Sequence, residues 1–154
     1  MIDHYREFTE QWLTKAGWKV VPDESGGRLF PEDIPRIVSA LNGVGCLRCL
    51  AVTTEDLGDM PPCYMVAVSE EGFRELNDKL GMFQFLLTDE ARSWAISCTV
   101  FYNLFAGPEK LVEAMLGKSI AEAQKKYLRI ATEIAEARGD PDDFHLQVAR
   151  RYAT

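Results

Sequence analysis

No run in this 154-residue chain approaches the eighteen or so consecutive apolar residues that a membrane-spanning helix requires. The N-terminus, Met1-Ile2-Asp3-His4-Tyr5-Arg6-Glu7, lacks the basic start and unbroken apolar stretch of a secretory leader. Histidine is scarce: His4 and His145 are the only imidazoles, so any His-based general acid or base must be one of them. Excess positive charge is missing too. Seventeen Lys+Arg stand against 24 Asp+Glu, a net charge of −7, and such a field repels nucleic acid and anionic membrane. The expectation is a cytoplasmic protein with no nucleic-acid and no membrane partner. Linkers, repeats and low-complexity tracts are absent as well. That leaves one domain over residues 1–154, long enough to bury its core without disulfide or metal staples.

Cysteine is sparse enough to be read one residue at a time. Cys46, Cys49, Cys63 and Cys98 pair arithmetically, but in a reducing compartment and a domain of this length free thiols are expected. Cys46-Leu47-Arg48-Cys49 has the spacing of a redox pair or of half a zinc site. Redox work would place the first thiol at a helix N-terminus, whereas Leu50-Ala51-Val52 continues a strand. Zinc would need a second closely spaced ligand pair, and Cys63 and Cys98 stand singly. Core cysteines are therefore expected, with no metal and no cofactor. A Cys98 nucleophile served by a distant histidine lacks any recognisable catalytic context. Ser25-Gly26-Gly27-Arg28 is too short for a phosphate loop and runs into Leu29-Phe30-Pro31, so it reads as a turn.

What is present is periodicity. Ile2, Tyr5, Phe8, Trp12 and Leu13 recur at helical spacing before Gly17, and Trp18–Val21 follows as a strand. A helix runs from Pro31-Glu32-Asp33 to Gly43, and strands over 46–53 and 63–68 flank a turn-rich 55–62, predicting a hairpin. Ser69 caps a helix that Gly81 stops, and Met82–Leu87 returns as a strand. Residues 94–105 favour a strand by type, although Trp94, Cys98, Phe101 and Phe105 also share a helical face. Strand is the reading taken. Gly107-Pro108-Glu109 opens a helix closed by Gly117. Ser119-Ile120-Ala121-Glu122 is a capping box for a long helix to Gly139, and Asp140-Pro141-Asp142-Asp143 begins the last. Strands do not alternate regularly with helices, so the expected class is α+β: a mainly antiparallel sheet packed by helices, with a helical C-terminal third.

The charge is uneven. Residues 1–80 hold fourteen acidic side chains against eight Lys/Arg, and 81–154 hold ten against nine. Asp23, Glu24, Glu32, Asp33, Glu55, Asp56 and Asp59 fall at turns and helix starts, as do Glu70 and Glu71, where side chains cap helices or meet partners. Asp142, Asp143 and His145 suggest a metal site, but the first turn of a helix already explains both aspartates. The aromatics Tyr5, Trp12, Trp18, Phe30, Trp94, Phe101, Tyr102 and Phe105 are expected mainly in the core. Three functional readings follow. The first is a small acidic protein-binding module that sequesters, inhibits or escorts a basic partner, as immunity proteins and secretion chaperones do, holding its Lys/Arg at the seven acidic positions. The second is a small-molecule or thiol-dependent enzyme domain with an aromatic-lined pocket. The third is a homodimer through the Ser119–Arg138 helix, whose apolar stripe is only wide enough to cover the sheet.

Overall fold

The computed structural model describes residues 17–24, 27–53 and 55–152. The helix expected over 2–16, with Tyr5 and Trp12, lies outside the described residues, as does His4. The elements are β1 (Trp18–Glu24), α1 (Ile34–Gly43), β2 (Arg48–Thr53), β3 (Cys63–Ala67), α2 (Glu70–Leu80), β4 (Phe85–Thr88), β5 (Ala95–Cys98), β6 (Tyr102–Pro108), α3 (Glu109–Leu116), α4 (Ile120–Arg138) and α5 (Phe144–Tyr152). The fold is α+β, as the irregular alternation of strands and helices predicts. Its six strands form one antiparallel sheet in the order β1-β6-β5-β4-β2-β3.

Alternation along each strand feeds two apolar layers. Phe85 and Leu87 of β4, Ile96 and Cys98 of β5 and Phe105 of β6 pack on one face with Ile37 and Leu41 of α1, Phe73 and Leu80 of α2 and Val112 of α3. Leu86, Ala95, Tyr102, Leu104 and Ala106 point the other way, to Tyr127 and Ala131 of α4 and Val148 of α5. A strand buried on both faces is apolar at most positions rather than at alternate ones, and β4, β5 and nearly all of β6 are buried throughout, with Thr88, Ser97 and Asn103 as buried polar exceptions. Strict alternation is therefore lost over 94–105, and the run also fits a helical stripe.

That segment is two strands rather than one. Thr99 supplies the turn between β5 and β6: its Oγ1 donates to the Tyr102 carbonyl at 2.6 Å and accepts from the N–H groups of Phe101 and Tyr102 at 3.2 and 3.0 Å. A hydroxyl-built turn carries no Gly or Pro to announce it. Phe101, expected in the core, sits at its tip and is 56% exposed. Two further boundaries shift. β4 begins at Phe85 rather than Met82, and Pro108 ends β6 and stands as the N-cap of α3.

The local signals hold elsewhere. Ser69 accepts from Gly72 N–H at 3.0 Å at the start of α2. Ser119 and Glu122 make the expected reciprocal capping box, and Gly117 and Gly139 take left-handed φ values of 70° and 62° at helix ends. Among the described residues no helix is long and apolar enough to cross a membrane.

Candidate functional site

Antiparallel pairing puts the C-terminal ends of β1, β2 and β5 beside the N-terminal ends of β6, β3 and β4. The β1–α1, β2–β3, α2–β4 and β5–β6 connections all meet there. Asp23, Glu24, Glu32, Asp33, Glu55, Asp56 and Asp59 therefore share one end of the sheet, whereas Glu70 and Glu71, on the first turn of α2, lie at the opposite end. The seven are not one cluster. β1 and β2 are four strand spacings apart, about 19 Å.

Internal bonds use several of these carboxylates. Lys126 of α4 reaches Glu24 at 2.8 Å and Asp23 at 3.9 Å. Burial pushes the Asp23 carboxyl up from its ordinary value, and the hydrogen bond that Lys126 donates to Glu24 holds its ammonium charged to higher pH. Asp33 pairs with Arg36 at 2.8 Å and makes no side-chain cap to α1, while Arg36 also donates to the Met115 carbonyl at 2.8 Å. Asp56 closes a local turn by accepting from Gly58 N–H at 3.0 Å. Glu55 accepts from Gln84 N–H at 3.3 Å, tying the β2–β3 loop to the α2–β4 loop. Glu32 and Asp59 are exposed.

The α2–β4 loop is fixed from a second side. Met82 N–H donates to the Gly27 carbonyl at 2.7 Å, and the buried Asn77 side chain clasps Leu29, accepting from its N–H at 3.2 Å and donating to its carbonyl at 2.8 Å. Three loops thus form one surface, and they hold apolar side chains out to solvent: Met82 is 64% exposed, Phe83 39% and Met60 37%. These three were not legible as surface residues. In a sequence an apolar residue beside a strand defaults to the core, and Met82 and Phe83 continue the apolar run that leads into β4.

Of the cysteines, Cys49 and Cys98 are buried as expected, Cys46 is half-buried, and Cys63, also expected in the core, is exposed near the start of edge strand β3; all four are free. Burial pushes the Cys49 thiol up to about 12 and drives Cys98 up as well. Burial also raises Cys46, which donates to the Arg48 carbonyl at 3.3 Å. Among the described residues no group of three or more His, Cys, Asp or Glu could hold a metal ion.

Asp143 is buried at the start of α5. Its carboxylate accepts from the His145 N–H at 2.9 Å, contacts His145 Nδ1 at 3.0 Å and pairs with Arg138 at 2.8 Å. Burial would raise its pKa, but these bonds outweigh burial and hold it below the usual carboxylate value. The helix-start role expected for Asp143 is what these contacts perform.

A groove of about 660 Å³ lies at the other end of the sheet. Cys46 and Cys49 lie along it with Val44, Leu47 and Met65, and Arg48, Lys110, Asp89 and Glu90 edge it. No aromatic side chain lines it. No protein family, characterised protein or solved structure matches the chain.

Proposed function

We propose that this chain is a protein-binding module whose docking surface is the sheet end built by residues 27–33, 55–60 and 81–84, and that it holds a basic partner protein there. One observation carries the reading: Met60, Met82 and Phe83 are exposed on loops that hydrogen-bond to one another, and Glu32, Glu55, Asp56 and Asp59 lie on the same loops. Apolar anchors inside a rim of charge are the usual composition of a recognition patch. Methionine suits the role because its unbranched, polarisable side chain adapts to a partner's contour. The carboxylates would steer Lys and Arg of the partner toward the anchors and set the encounter rate. Glu24 and Asp23, which share the Lys126 ammonium, contribute less than Glu32 and Asp59. A sequestering, inhibiting or escorting role is the expectation for such a module.

The test is affinity capture from the native cell with wild type beside Glu32→Lys/Asp59→Lys, followed by association kinetics with the recovered partner. The expected result is a basic protein, retained by wild type, whose on-rate falls at least about tenfold for the variant at low salt. An unchanged on-rate at low salt, or a partner without basic character, overturns the reading.

A further inference from the structure

We propose that the groove at the opposite end of the sheet is a self-association surface, on which a second copy of this chain docks about a two-fold axis. The argument begins with exposure. Leu47 is 69% exposed, Val44 58% and Met65 51%, and all three line the same groove. Large apolar side chains scattered singly over a surface need no explanation, but three converging on one groove do. The groove spans from β3 and β2 across the β4–β5 turn to the start of α3. That is a width of about four strand spacings, roughly 19 Å, the scale of a protein contact.

Charge selects the occupant. Arg48 and Lys110 stand on the groove with Glu90, and none of these three makes an ion pair among the described residues. Asp89, beside them, is committed to the β4–β5 turn, where it accepts from Ser93 N–H at 2.6 Å and from the Ser93 hydroxyl. A basic partner would leave Arg48 and Lys110 facing like charge, and an acidic partner would do the same to Glu90. A surface carrying both signs satisfies itself. In a two-fold contact residue i of one copy meets residue j of the other and the reverse, so Arg48 of each copy can meet Glu90 of the other while the apolar residues bury one another. Continuing the β2–β4 register two residues beyond the Leu50–Thr88 pair brings Arg48 to the level of Glu90, so the two charges share one part of the groove.

The surface lies at the other end of the sheet from the docking loops, so a second copy there leaves residues 27–33, 55–60 and 81–84 open. The dimer would present two docking ends and engage a repetitive or dimeric target with the gain in avidity that linked sites provide.

Sedimentation equilibrium of the full chain across a wide concentration range tests the proposal, with circular dichroism confirming that each variant folds. Wild type is expected to move reversibly from one chain to two. Leu47→Glu should hold it at one, and Arg48→Glu should weaken dimerisation at least about tenfold, because a two-fold axis counts the change twice. Combining Arg48→Glu with Glu90→Arg should restore association by re-forming the pair with its signs exchanged. A single chain at every concentration overturns the proposal. So does a dimer indifferent to Leu47→Glu but broken by Leu128→Glu on the exposed side of α4, and so does a charge swap that fails to rescue. A small molecule found in the groove of the monomer by native mass spectrometry overturns it in favour of a ligand site.

Discussion

The backbone N–H of Met82 donates to the carbonyl of Gly27 at 2.7 Å, and each residue holds a left-handed φ, 74° and 76°. The left-handed region is ordinary for glycine and unfavourable for methionine by about 1–2 kcal/mol, so the contact keeps an apolar side chain outward at some cost to stability. A Cβ on Gly27 would come within 2.8 Å of Met82 Sδ.

Gly27→Ala should therefore lower stability by about 1 kcal/mol, roughly 3 °C in melting temperature, and displace Met82. Met82→Gly should leave the melting temperature unchanged or slightly raised, because the strain goes with the side chain, while binding to the basic partner falls. Thermal unfolding beside partner titration separates the two. A Met82→Gly variant that binds like wild type removes Met82 from the docking surface.

Asn77 is the hinge pin between α2 and the loop that carries Leu29. Asn77→Ala strands a buried N–H and a buried carbonyl, at an expected cost of about 2 kcal/mol. Backbone amide exchange should speed up at Leu29 and Met82 ahead of the strands, since the loop loses its clasp while the sheet does not. Uniform acceleration across the sheet would show that the clasp has no local role.

Thiol labelling with a disulfide reagent under native conditions should proceed in order of exposure. Cys63 reacts first, Cys46 slowly, and Cys49 and Cys98 only after unfolding, because burial both shields them and suppresses the reactive thiolate. Cys63→Ser should abolish the fast phase. Rapid labelling of two or more thiols in the Cys63→Ser variant would contradict the burial of the core pair.

Alkaline pH should weaken the fold. Burial pushes the Cys49 thiol up to about 12 from its ordinary 9.0. Its contribution is complete below the unfolded pKa and is lost as pH climbs through the interval between the two. Cys98 and the buried Tyr127 hydroxyl, both shifted upward by burial, add to the same decline. Each group contributes a slope of up to about 1.4 kcal/mol per pH unit within its own interval. Denaturant midpoints measured from neutral to strongly alkaline pH should fall, and Cys49→Ala should flatten the fall. A flat profile in the wild type removes the effect.

Most helix ends were written in short-range chemistry. The Ser119–Glu122 box, the Ser69 cap and the glycines after α3 and α4 each act within four residues, so local reading finds them. The β5–β6 hairpin escaped because its turn is built by the Thr99 hydroxyl and both strands are buried on two faces. The candidate surface was half legible. The acidic positions could be named, but Lys126 lies about a hundred residues from Glu24 and neutralises it only once α4 docks beside β1.

Composition, periodicity and capping thus determined the class of fold, the helix termini and the negative charge of the loops, because each depends on neighbours a few residues apart. The tertiary structure alone decided that Met60, Met82 and Phe83 face water among those carboxylates, and that Val44, Leu47 and Met65 meet at the far end. Exposure is a property of what packs against a residue from elsewhere in the chain, and the antiparallel register, not the local sequence, brings those loops to one end of the sheet.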